Sequence, residues 1–133
     1  MPPTCRVVLP TAPEQAVTCN NGAVMNSWFD IYSLDSKTMA SPSEVWSKYS
    51  QKDINQSADL LLSLLEEERN KFADKDASRV FIGGFSQGCM VSLAAFLKYK
   101  GDKPFGGLIG LSGMQALEFK PEEVTPEVLA VQK

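Results

Sequence analysis

The chain contains no histidine. That absence removes the commonest side-chain base near neutral pH and the commonest nitrogen ligand for zinc. Its three cysteines, Cys5, Cys19 and Cys89, are an odd number at unrelated spacings, so they predict reduced thiols and neither a disulfide framework nor a metal cluster. Long apolar runs are absent too: nothing approaches the roughly 18 to 20 residues that a bilayer-spanning helix needs. The start, Met1-Pro2-Pro3-Thr4-Cys5-Arg6, lacks the charged segment and apolar segment of a secretory leader, and a cytoplasmic location is expected. Basic charge is sparse, with 13 Lys and Arg against 16 Asp and Glu, and no basic stripe offers itself to nucleic acid or an anionic lipid surface. No cofactor is called for. One glycosylation-type triplet, Asn55-Gln56-Ser57, falls within a helical pattern and is read as chance.

What is present is a chain of 133 residues with 44% hydrophobic content, enough for one core and one domain spanning 1–133. Strand and helix signals alternate. Arg6-Val7-Val8-Leu9, stopped by Pro10, reads as a buried parallel strand, and Thr11 to Asn26 as an irregular crossing rich in Pro, Gly and Asn. Leu34 to Tyr49 carries turn residues and the aromatics Trp46 and Tyr49, the composition of a mobile lid. Ser50-Gln51-Lys52-Asp53 has the form of a capping box, and Ile54, Ala58, Leu61 and Leu65, widened by Leu60, Leu62 and Leu64, predict a helix fading near Phe72. Val80 to Gly83 is a second strand, Ser86 to Tyr99 a second helix, and Gly107 to Leu111 a third strand after the turn Gly101-Asp102-Lys103-Pro104. Such alternation predicts a parallel α/β sheet with flanking helices.

Gly84-Phe85-Ser86-Gln87-Gly88 sits at the junction of an apolar strand and a helix, where a Gly-x-Ser-x-Gly turn holds a serine on a sharp elbow with its hydroxyl exposed. Three readings compete there. Serine is a good helix cap without any chemistry. The spacing of Gly83 to Gly88 also fits half of a phosphate-binding loop, but that loop requires lysine and then Ser or Thr, and the chain has Cys89-Met90. The third reading makes Ser86 a nucleophile. Cys89 beside it reads as a small buried hydrophobe rather than a redox-sensitive thiol.

Taken with Val8-Leu9-Pro10-Thr11-Ala12-Pro13, Asn21-Gly22, Ser27-Trp28-Phe29-Asp30-Ile31 and Gly107-Leu108-Ile109-Gly110-Leu111-Ser112-Gly113, the elbow gives the chain a resemblance. It resembles the acyl-protein thioesterase, lysophospholipase and carboxylesterase group of α/β-hydrolases, over nearly its whole length. The resemblance implies a partial α/β-hydrolase fold, Ser86 as nucleophile, the backbone N–H of Gln87 as an oxyanion donor, Gly84 and Gly88 as elbow glycines, and Trp28 and Phe29 beside a substrate channel. Asp30 would be structural. It also implies an ester or acyl thioester substrate. The family's second oxyanion donor, on a strand upstream, and its catalytic aspartate and histidine, on later strands, match nothing in this sequence, and both ends fall where further family segments are expected.

In the family the oxyanion strand lies between the strands matching Arg6 to Leu9 and Val80 to Gly83. The sheet must therefore close up, or another polypeptide must complete it. Three functional expectations follow: a segment of a serine hydrolase, inactive by itself; a non-catalytic structural or interaction subunit; or an acyl-binding module without turnover.

Overall fold

The computed structural model describes residues 4–35, 41–101 and 103–118. Its first element departs from expectation. Thr11 to Asn26 is not an irregular crossing but an antiparallel hairpin of β1 (Glu14–Val17) and β2 (Ala23–Asn26), with Glu14 opposite Asn26 and Val17 opposite Ala23. Asn21 (φ 56°) and Gly22 (φ 74°) both take the left-handed conformation, which turns the chain after a single 3-10 turn at Thr18–Asn20. Each strand has only four residues and neither alternates cleanly, so periodicity gives no signal and only the Asn-Gly pair marks the turn.

A short helix, α1 (Pro42–Trp46), is capped by Ser41, whose hydroxyl accepts from the Glu44 N–H. The aromatics expected on a lid are both half-buried here. Tyr49 bridges to Ile31 and meets Phe29 edge to face at 5.7 Å, which pins the C-terminal part of that stretch; residues 36–40 of it lie outside the described residues.

The capping box forms as the sequence predicts. Ser50 accepts from the Asp53 N–H and α2 runs over Gln51–Arg69, ending three residues before Phe72 in a series of tight turns. Ile54, Ala58 and Leu65 are buried, and Leu61 and Leu62 pack against the same core, but Leu60 points away and is exposed.

After α2 comes a strand–helix–strand unit: β3 (Phe81–Phe85), α3 (Gln87–Lys98) and β4 (Gly107–Leu111). β3 and β4 pair in parallel from Phe81 opposite Gly107 to Phe85 opposite Leu111. Because register partners share a face, Ile82, Gly84, Leu108 and Gly110 turn one way and Phe81, Gly83, Phe85, Ile109 and Leu111 the other. The helices lie together on the first face. α2 packs on α3 around Phe29, Ile54, Ala58, Met90, Val91, Ala94 and Ala95, while Leu65, Ala77 and Phe105 form a second cluster with Ile82 and Phe96. On the second face the apolar side chains stand in solvent.

Arg6 to Leu9 forms no strand. Val7 and Leu9 are exposed, and the segment is held instead by an ion pair from Arg6 Nε to Glu68 Oε2 of α2 at 3.1 Å. A β-branched run becomes a strand only beside a partner strand, and none of the described strands reaches it. A groove of about 130 Å³ separates Val8 and Pro10 from Phe81, Ile82 and Gly83, so the sheet does not close up.

Candidate active site

Ser86 joins β3 to α3 at φ 51°, ψ −117°, a backbone conformation that costs a non-glycine residue roughly 1–3 kcal/mol and persists only where its surroundings impose it. The surroundings here are specific. Its N–H donates to the Leu111 carbonyl at 2.8 Å, tying the elbow to the end of β4, and its carbonyl accepts the first helical bond of α3 from Met90 N–H at 3.1 Å. The residue is exposed. Its side chain makes no capping hydrogen bond, which distinguishes it from Ser41 and Ser50, whose hydroxyls cap their helices.

The two elbow glycines differ in what they permit. A Cβ on Gly84 would stand 2.3 Å from the Gly88 carbonyl carbon and 2.7 Å from the Cys89 nitrogen, so the first turn of α3 closes directly over β3 only because Gly84 has no side chain. A Cβ on Gly88 would meet nothing closer than the Trp28 indole nitrogen at 4.0 Å. Gly88 supplies the backbone that Gly84 touches but is not itself crowded.

Cys89 fills a gap left by two more glycines. Its sulfur is buried, 2.8 Å from where a Gly110 side chain would start and 2.6 Å from that of Gly113, which fits the reading of a packed hydrophobe.

Gln87 was expected to act through its backbone alone, yet its side chain organises the site. Oε1 accepts from Trp28 N–H at 2.8 Å, while Nε2 donates to Ser27 Oγ and to the Phe29 carbonyl, each at 2.8 Å. Ser27 Oγ passes its own proton to the Phe29 carbonyl at 2.7 Å, and Ser57 of α2 donates to the Trp28 carbonyl at 2.5 Å. The Ser27-Trp28-Phe29 segment is thus fastened to the nucleophile turn on one side and to α2 on the other. Sequence reading finds both motifs but not the bond between them, because nothing in spacing relates residues almost sixty positions apart. The Gln87 N–H itself lies in the first turn of α3, where no helical carbonyl can accept it.

Asp30 is a structural tie. Its carboxylate accepts from the N–H and hydroxyl of Thr18, both at 2.7 Å, its carbonyl accepts from Ser50 N–H, and its N–H donates to Asp53 Oδ2. Phe29 is completely buried in the core, which leaves the half-buried Trp28 as the aromatic with surface to present beside the elbow; a hollow of about 270 Å³ lined by Trp28, Gln15, Ser57 and Leu60 adjoins it. Among the described residues no group of acids and thiols could hold a metal ion, and no helix is long and apolar enough to cross a membrane.

A parallel strand–elbow–helix with a serine at the turn is compatible with many hydrolases. Comparison with known proteins narrows it, because the family model of phospholipases and carboxylesterases matches residues 1–130. The chain belongs to that family. It is 37% identical over 115 residues to acyl-protein thioesterase 1 homolog 1 of Dictyostelium discoideum, covering 86% of this chain and 46% of the relative. It is 36% identical over 106 residues to carboxylesterase SOBER1 of Arabidopsis thaliana, covering 80% of this chain and 42% of the relative. The crystal structure of SOBER1 superposes with a TM-score of 0.71 at 32% identity, over 91% of this chain and 53% of that one. The fold is accordingly a partial α/β-hydrolase fold, and the chain spans less than half the length of these curated relatives.

Proposed function

We propose that this chain, as a partial hydrolase domain over 1–133, carries the nucleophile half of a serine hydrolase that cleaves esters or thioesters of acyl groups in the cytoplasm. The observation that carries the reading is Ser86, exposed and held at φ 51° by the Gly84 contact and the bond to Leu111. Its Oγ would attack the acyl carbonyl, the electron pair would move onto the carbonyl oxygen, and expulsion of the alcohol or thiol would leave an acyl-serine for water to hydrolyse. The Gln87 N–H and the positive end of α3 face that developing oxyanion, and losing one such donor typically costs about 10²–10³ in kcat. The names of the relatives, acyl-protein thioesterase and carboxylesterase, support this substrate class. Trp28 is the candidate channel wall.

Attack needs a base for the Ser86 proton, and the chain has no histidine. The isolated chain is therefore expected to show no turnover. A fluorophosphonate probe and a p-nitrophenyl ester assay on the purified chain, with Ser86→Ala as control, test this. Labelling or turnover that vanishes in Ser86→Ala would mean that another group activates the serine and that the chain is a sufficient catalyst. A second reading, a non-catalytic interaction subunit, is favoured by one specific feature, the bare apolar face of the sheet.

A further inference from the structure

β3 has a hydrogen-bonded neighbour on one edge only. β4 takes that edge, and among the described residues no strand pairs with the other. Beside the free edge runs the groove bounded by Val8 and Pro10, and its floor reaches Leu65 and Ser92, which are 2% and 1% exposed. The groove therefore opens onto the core of the molecule rather than onto its skin. Its walls are apolar on one side and a row of backbone donors and acceptors on the other.

Only an extended chain satisfies both walls. A helix has used its backbone groups internally and cannot pair with a strand edge, whereas an extended segment pairs with β3 and sends alternate side chains down toward Leu65 and Ser92. The adjoining sheet face makes a second demand. Phe81, Phe85, Ile109 and Leu111 are 61%, 69%, 60% and 58% exposed in one contiguous patch, which requires a cover with an apolar stripe. The SOBER1 structure that superposes on this chain is matched over only 53% of its length, so the family fold contains about as much polypeptide again.

We propose that the free edge of β3 and the patch beside it bind a separate polypeptide carrying the rest of the hydrolase fold, one extended apolar strand entering the groove and further elements covering Phe81, Phe85, Ile109 and Leu111. Family membership carries this inference, not the chemistry of Ser86, and binding is measured without reference to activity.

The probe is Arabidopsis SOBER1 with the stretch that aligns with this chain deleted and the gap closed by a Gly-Ser linker, co-expressed and purified with the full 133-residue chain. Light scattering should give a one-to-one complex, and hydrogen exchange should show the amides of residues 81–85 protected only in it. Val8→Asp in the groove and Phe85→Asp on the patch alter exposed side chains, so both variants should keep the circular dichroism of the parent while binding at least about tenfold more weakly. Elution of the parent chain without the probe, binding undiminished in both variants, or unprotected amides in 81–85 would each overturn the proposal. So would a dimer of the chain that protects 81–85 by itself, since the occupant would then be a second copy.

Discussion

At the scale of single residues, the site depends on one glycine and one amide. Gly84→Ala sets a methyl group 2.3 Å from the Gly88 carbonyl carbon, and neither partner is a flexible side chain, so the elbow must open. Overpacking of this kind costs about 1–3 kcal/mol or more. Gly88→Ala meets open space, and alanine's better helix propensity, worth up to about 1 kcal/mol, makes it neutral or stabilising. Urea unfolding of both variants checks the contrast; equal losses would show that the motif's glycines serve backbone freedom in general and not this contact. Gln87→Ala strands the Trp28 N–H and the Ser27 hydroxyl partner in a part-buried setting, an expected loss of about 2 kcal/mol or more. Gln87→Glu keeps the shape but replaces the amide that donates to Ser27 Oγ and the Phe29 carbonyl, and should unfold at least as easily. A Gln87→Glu variant as stable as the parent would show that those donated bonds contribute nothing. The motif residues were legible in the sequence, since Ser86, Gln87 and Ser27 to Phe29 all stood out. Their mutual bonding was not, because it is a property of the folded distance.

Elements were legible in proportion to how local their causes are. α2 announces itself by a cap and a 3.6-residue pattern, and Ser50→Ala should cost about 1 kcal/mol by removing the acceptor for Asp53 N–H, measurable as a lower unfolding midpoint. β3, α3 and β4 are short apolar runs bounded by glycines, which sufficed to place them within a residue or two. The hairpin was missed because four-residue strands carry too little pattern, although Asn21-Gly22 held the signal. Arg6 to Leu9 was misread for the opposite reason: its composition suits a strand, but strand formation depends on a neighbour. Its hold on the molecule is electrostatic and should follow pH. Lys71, through a side-chain hydrogen bond, and then the charge of Arg6 lower the pKa of Glu68, whose carboxylate is 18% exposed. A carboxyl depressed in the folded state contributes stability that is complete above its unfolded pKa and is lost as pH falls through the folded one. Hydrogen exchange of residues 6–10 should therefore accelerate on acidification below the ordinary glutamate range, and in Glu68→Gln it should be fast at every pH. A segment equally protected in Glu68→Gln and parent would mean that its packing on α2, not the ion pair, retains it.

At the scale of the whole molecule, one side of the sheet holds the fold together and the other does not, and this asymmetry can be measured. Phe29 lies in the cluster shared by α2 and α3, is 0% exposed and stacks edge to face with Tyr49, so Phe29→Ala should cost about 3–5 kcal/mol. Phe81, Phe85, Ile109 and Leu111 are as apolar, yet each keeps more than half of its surface in water. Replacing the aromatic or branched residue with threonine at Phe85, Ile109 and Leu111 together removes exposed apolar surface while retaining β propensity, and substitutions of this kind usually change stability by no more than about 0.5 kcal/mol each. The triple variant should unfold near the parent's midpoint and remain soluble at concentrations where the parent precipitates, because a bare sheet edge beside an apolar face is a template for association. Thermal unfolding of the triple variant beside Phe29→Ala decides the matter. If the threonine variant loses as much stability as the core variant, the outward face is already packed against something in the isolated chain, and the division of the sheet into a supporting side and an open side is wrong.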